Sequence, residues 1–294
     1  VSKTIMTLTI NPILLKPSFR FSEIKDMLKF GGLLTMHGVL VYVFLHMDVA
    51  IAGKYMSPIE IGLFAIGLQF AMMPQKKILP LIKQVAFPAF SKIQDQPSKI
   101  SYYITKAQKL SLLITVPIFW GLASVIDFIV PIILGESWQQ AIIPTMIILL
   151  VMPLRFCDEL FGPALKSQKK IKHMMTNTGI TIALLLVTIF MMIDYGATGL
   201  ALAWAIAFPI AFIIIIIRNT RLLKIKILDI LKVFVSPIIS GLCMLLAVGL
   251  LKYFLTEKTL LNLIYQVILG GIIYVSVLFI IDRKAINELK SLRK

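Results

Sequence analysis

His37, Asp48, Gln69, Lys76, Lys83, Arg155, Asp158 and Glu159 all carry polar chemistry into otherwise apolar runs of this chain. Ionisable side chains are costly at membrane depth, so each invites a functional reading. Gln69, Lys76 and Lys83 are spaced by seven. At about 100° per residue, successive members drift by only about 20°, so on a helix they share one face and form a polar stripe about 21 Å long. Such a stripe could line a wet cavity that receives an anionic group such as a phosphate. The plainer reading has Lys76 and Lys77 snorkelling to an interface, or the helix bending at Pro74 and Pro80. Arg155, Asp158 and Glu159, at spacings of three and four, place both acids beside the guanidinium on one helical face. They form either a self-neutralising cluster that holds helices in register or a gate whose ion pairs break and re-form. His37 and Asp48, eleven residues apart, again fall within about 20° of one face. Asp48 could take part in proton or sodium coupling, or could simply be hydrated near a helix end.

The elements that must position these residues follow from composition. Of 294 residues, 59% are hydrophobic and 15% charged, against about 25% charged in ordinary soluble domains. The apolar residues come in blocks, which predicts an all-α polytopic membrane protein. A helix rising about 1.5 Å per residue needs about 20 apolar residues to cross roughly 30 Å of hydrocarbon. About eight spans meet that length: Phe30–Ala52, Ile61–Phe90, Leu110–Ile133, Ala141–Leu165, Met174–Ile193, Thr198–Ile217, Val233–Leu251 and Leu260–Ile281. The second holds Pro74, Pro80 and Pro88 and is too long for one straight crossing. It is either one long kinked helix projecting from the bilayer or two broken pieces.

The net charge of +16 would suit a nucleic-acid partner, but the cations lie between apolar blocks. Alternate connecting regions hold 23 Lys and Arg against three in the others. That bias is a positive-inside signal, which puts both chain ends in the cytoplasm and makes the long second block cross once. Nucleic acid is therefore not an expected partner; the bilayer is. The outward segments are short, and no P-loop, Gly-x-Gly-x-x-Gly or His-Glu-x-x-His motif occurs. No enzymatic activity, cofactor or metal is expected. Cys157 and Cys243 lie inside apolar blocks and form no disulfide framework.

Several stretches, in order, resemble the polysaccharide transporters of the multidrug/oligosaccharidyl-lipid/polysaccharide (MOP) superfamily, specifically Wzx-type O-antigen flippases. Phe21–Gly32 looks like the amphipathic lead-in to the second lobe, and Asp48-Val-Ala-Ile-Ala-Gly53 like the family's D-x-x-I-x-G helix end. Ile61–Phe70 is similar to its next helix start, with Phe64 where Tyr is usual. Phe87-Pro-Ala-Phe-Ser-Lys-Ile-Gln94 and Leu134-Gly-Glu-Ser-Trp138 resemble two further family signatures. The resemblance implies two six-helix lobes around a central cavity, often followed by two extra helices. On that plan residues 1–29 are a cytoplasmic lead-in ending a first lobe absent from this chain. Residues 30–217 are the second lobe, 218–281 two appended helices and 282–294 a basic tail.

The function so implied is movement of oligosaccharide units linked to undecaprenyl pyrophosphate across the bacterial cytoplasmic membrane by alternating access, for polysaccharide or lipopolysaccharide biosynthesis. Polysaccharide polymerase and glycosyltransferases are the implied protein partners. Gln69, Lys76, Lys83 and Arg155 are the expected contacts to the anionic head group, on charge grounds. Asp48, Asp158, Glu159 and His37 are candidates for gating or ion coupling. A MATE-like small-molecule exporter, which would line its cavity with acids, and a scaffold or membrane enzyme of polysaccharide assembly remain alternatives.

Overall fold

A computed structural model describes residues 21–255 and 259–283, with all side chains in that range except those of residues 21–23 and 26. The expected first-lobe remnant before Phe21 and most of the basic tail lie outside the described residues.

Every described element is helical. The order is α1 (Phe21–Tyr55), α2 (Pro58–Lys92), α3 (Pro97–Leu134), a 3-10 turn (Glu136–Ala141), α4 (Ile142–Glu159), α5 (Phe161–Ser167) and α6 (Ile171–Met192). A second 3-10 turn (Ile193–Tyr195) leads to α7 (Gly196–Leu222), α8 (Ile227–Phe254) and α9 (Leu260–Ile281). The protein is an all-α polytopic membrane protein, as its composition required. By length and composition, six stretches of the described residues can cross a membrane. One of them, Ile171–Leu222, runs through both α6 and α7. The helix α2 is not among the six, because Gln69, Gln75, Lys76, Lys77 and Lys83 interrupt its apolar residues. The eight expected spans map onto these helices, the fourth across the α4–α5 break, but six stretches rather than eight meet the length and composition for a crossing.

Local chemistry explains the boundaries. Ser57 caps α2, with its hydroxyl accepting from the Glu60 N–H at 3.3 Å while the Glu60 carboxylate accepts from the Ser57 N–H at 3.0 Å. This reciprocal pair satisfies two of the helix's free donors. The block that sequence left open as kinked or broken is one helix of 35 residues, with three prolines inside it. At about 1.5 Å per residue it exceeds the hydrocarbon thickness by some 20 Å. The fourth expected span does break: α4 ends at Glu159 and α5 begins at Phe161. Pro163 has no N–H to donate to the carbonyl of Glu159, which removes the bond that would have joined the two. Gln108 of α3, fully buried, donates its Nε2 to the Cys157 carbonyl at 2.8 Å beside the break.

Packing is organised around α7. Ala203, Ala207 and Ala211, four residues apart, are all buried, along with Gly199 and Ala201. Lipid tails are as apolar as the helices, so association in a bilayer depends on close van der Waals packing, which small residues permit. On this central helix pack α4 and α6, and α2 more lightly; α1 leans on α6. Outside this group, α8 lies along α3, and α9 along α8, with Lys109 of α3 paired to Asp282 at 3.0 Å. The free faces of α8 and α9 expose residues such as Leu246, Leu250, Val267 and Ile272, as a lipid boundary would.

Candidate functional site

A cavity of about 660 Å³ opens among α1, α2, α4, α5, α6 and α7. Its lining runs over Phe30–Leu45 of α1, Lys83 and Phe87 of α2, the α4–α5 break, Met174–Thr181 of α6 and Phe208–Asn219 of α7. All these segments lie at one end of their helices, the end adjoining the basic connections 92–109, 166–172 and 218–226. Toward the opposite end α2 packs closely on α4: at Gly67 a Cβ would come within 2.6 Å of the Thr145 hydroxyl.

Arg155 is the most constrained group in the cavity wall. It is 4% exposed. Its guanidinium lies over two rings that touch each other, 5.3 Å from Phe44 on α1 and 4.8 Å from Trp204 on α7, with the ring centroids 5.6 Å apart. Arginine suits such stacking because its charge is delocalised and weakly hydrated, and each ring contributes on the order of 0.5–2 kcal/mol. One terminal nitrogen, Nη1, is buried without a hydrogen-bond partner. An unused donor on a buried cation is costly.

The two acids expected beside Arg155 are present but arranged differently. Glu159 forms an ion pair with Lys83 of α2, so the pair bridges α2 to the α4–α5 break. Asp158 also lines the cavity. Both carboxylates lie within electrostatic range of Arg155, but among the described residues neither forms an ion pair with it. The aromatic rings hold the guanidinium in place of the neighbouring acids. Lys166 of α5 adds a third cation to the lining.

His37 lines the cavity and lies 3.5 Å from the Thr178 hydroxyl. Asp48, on the same helix, is fully buried and does not line it. Its carboxylate accepts from the Val49 N–H at 2.8 Å and from the Trp204 indole at 3.3 Å. Instead of being hydrated, Asp48 braces the ring that supports Arg155. Gln69 and Lys76 are exposed on α2, outside this cavity. The cavity occupies only the last part of α2, and Lys76 and Gln69 sit about 10 and 21 Å along the axis from Lys83.

Sequence reasoning missed Lys166, Asn177 and Asn219. Asn177 lies inside an expected span and could have been singled out as a buried amide in an apolar run. Asn219 and Lys166 fall just beyond expected span ends, where Lys166 counts only as one of the connecting cations.

Residues 1–143 match a family of polysaccharide biosynthesis proteins. The chain is 26% identical over 276 residues to an uncharacterized membrane protein in the cps region of Klebsiella pneumoniae, covering 93% of this chain and 57% of that protein. It is 26% identical over 209 residues to the lipopolysaccharide biosynthesis protein WzxC of Escherichia coli, covering 70% of this chain and 41% of that one. A probable low-salt glycan biosynthesis flippase, Agl15 of Haloferax volcanii, is 24% identical over 209 residues, covering 68% of this chain and 43% of that protein. The chain thus spans about half the length of the curated relatives it matches. Its fold resembles the lipid II flippase MurJ in an inward closed conformation, with a TM-score of 0.68 and 19% identity, over 97% of this chain and 60% of that one. In sequence the chain is thus similar to polysaccharide biosynthesis proteins that include a WzxC, and in fold to the flippase MurJ.

Proposed function

We propose that this chain supplies the head-group cavity of a flippase that moves lipid-linked oligosaccharide across the bacterial cytoplasmic membrane by alternating access. The observation that carries the reading is Arg155. It is a buried cation held over the Phe44 and Trp204 rings, with an unused Nη1 donor, in the wall of a cavity that also holds Lys83 and Lys166. A diphosphate brings negative charge and many acceptor oxygens. In a low-dielectric site it binds where fixed cations replace its hydration shell. The aromatic and aliphatic remainder of the lining suits the first isoprene units or the apolar faces of a sugar.

On this reading the cavity is the cytoplasm-facing half of the transport path, because it opens toward the basic connections that a positive-inside orientation keeps in the cytoplasm. Both described ends then face the cytoplasm. Residues 30–217 form the transport lobe, and 218–281 the appended pair that packs on α3. The Lys83–Glu159 pair is the releasable element: an arriving diphosphate competes with Glu159 for Lys83 and loosens α2 from the α4–α5 break. Gln69 and Lys76 lie farther along α2, where they would meet the head group as the path opens outward. Polymerase and glycosyltransferases are the partners that consume and supply the cargo. The carboxylates of Asp158 and Glu159 favour a cationic cargo as the second reading.

In the producing cell, Arg155→Ala and Lys83→Ala should each reduce export of the cognate polymer at least tenfold while leaving the protein at wild-type abundance in the membrane. Normal export from both variants would refute the site assignment.

A further inference from the structure

Trp204 lies behind the cavity wall. It is 1% exposed and lines no part of the cavity, while its neighbours Phe44, Arg155 and Phe208 all do. Its ring is 5.6 Å from the Phe44 ring and stacks on the Phe208 ring at 6.2 Å, with the planes 8° apart. The Arg155 guanidinium is 4.8 Å from the indole centroid. One buried side chain therefore adjoins lining residues from α1, α4 and α7. Its single polar atom is fixed as well. Nε1 donates to Asp48 Oδ2 at 3.3 Å, and the other oxygen of that carboxylate accepts from the Val49 N–H at 2.8 Å. Asp48 opens the Asp48–Gly53 motif, yet it is fully buried outside the lining and meets no cargo there. Arg155, for its part, lacks the partners that usually fix a guanidinium. Among the described residues it makes no ion pair, and its Nη1 has no hydrogen-bond partner. The rings it lies on set its place, and Asp48 sets the place of the indole.

We infer that Trp204 and Asp48 are positioning residues of the head-group site: Asp48 holds the indole, the indole holds the Arg155 guanidinium where a diphosphate meets it, and neither touches the cargo. This inference rests on the reading of the cavity as a lipid-diphosphate site. The acid has a reason to be an acid. Two donors, the Val49 N–H and the indole N–H, each take one carboxylate oxygen. An asparagine has one acceptor oxygen and would turn its NH2 group toward one of those donors. A buried N–H that loses its acceptor carries the full cost of its desolvation. The charge of Asp48 also lies within electrostatic range of Arg155. It helps to balance a buried cation without forming an ion pair, which would consume the donors that a ligand needs.

The test is a double-mutant cycle on the full 294-residue chain in phosphatidylcholine nanodiscs, with farnesyl diphosphate as the probe. Trp204→Phe keeps an aromatic ring and removes the N–H that Asp48 accepts. Asp48→Asn keeps the size and removes one acceptor. Each should weaken the probe about tenfold, the value of one hydrogen bond to a charged group. Arg155→Ala should weaken it too, and in that background the other two substitutions should have no further effect, because they act through the guanidinium. A residue that only supports the fold would weaken the probe alike in both backgrounds. Either substitution completes the cycle if the other prevents folding. Fluorine NMR of the protein labelled with 5-fluorotryptophan gives a second readout: the resonance that disappears in Trp204→Phe should shift when the probe binds the wild type. Binding lowered by Arg155→Ala but not by Asp48→Asn or Trp204→Phe, losses equal in both backgrounds, or no shift of that resonance at saturation overturns the positioning role alone. Failure of the probe to bind the wild type, or binding unaffected by Arg155→Ala, overturns the diphosphate reading and this inference with it.

Discussion

Arg155 and Lys83 are both cations in one cavity, yet they are held by different forces and should respond differently to mutation. Arg155 depends on cation–π contact: its guanidinium lies over the neighbouring Phe44 and Trp204 rings, and Asp48 braces Trp204 through its indole N–H. Lys83 is held by one carboxylate, and both side chains of its pair are more than a third exposed. Exposed pairs contribute about 0–1 kcal/mol. Arg155→Lys keeps the charge but loses the planar stack, so export should fall nearly as far as in Arg155→Ala. Glu159→Gln should change the melting temperature little and raise affinity for a lipid diphosphate by releasing Lys83. Wild-type export from Arg155→Lys would show that charge alone matters there. Much of this was legible in the chain: ionisable residues in apolar runs are conspicuous, and His37, Lys83, Arg155, Asp158 and Glu159 do converge. The ring pair beside the guanidinium was not legible, because Phe44, Arg155 and Trp204 come from three helices and aromatic residues are common in every span.

At the scale of elements, two basic connections do more than set topology. Lys169 and Lys224 adopt left-handed backbone conformations, with φ of 57° and 54°, immediately after α5 and α7. In each, the following N–H reaches back over the last turn, Lys170 to the Leu165 carbonyl at 2.9 Å and Ile225 to Thr220 at 2.8 Å. This is the helix stop that glycine usually supplies. A lysine there carries a steric cost of roughly 1 kcal/mol. Lys169→Gly and Lys224→Gly should each raise the thermal midpoint, by an amount corresponding to up to about 1 kcal/mol. Lower midpoints would show that the lysine side chains have bonding roles of their own. Gly135, with φ of 91° and ψ of 166°, ends α3 in a conformation that favours glycine, and it lies in the Leu134–Trp138 motif that the sequence made recognisable. The lysine stops escaped notice because nothing in residue type marks them. The α4–α5 break escaped too, since Pro163 lies near the end of an apolar run where a helix could simply have stopped.

The whole molecule is asymmetric from end to end. Toward one end α2 packs closely on α4 at Gly67 and Thr145, and the other holds a cavity whose walls differ: cations and acids from α2, α4 and α5, amides from α6 and α7. Apolar periodicity predicted the helices well because a bilayer imposes their length. It could not predict how much of α2 meets the cavity, which depends on where the bundle opens. The most direct test places a photoreactive polyprenyl diphosphate in membranes containing the protein and maps its adducts. Adducts on the cavity segments of α1, α4 and α6, reduced severalfold by Arg155→Ala, are the predicted result. Adducts confined to the lipid-facing surfaces of α8 and α9, and unchanged by that substitution, would contradict the account.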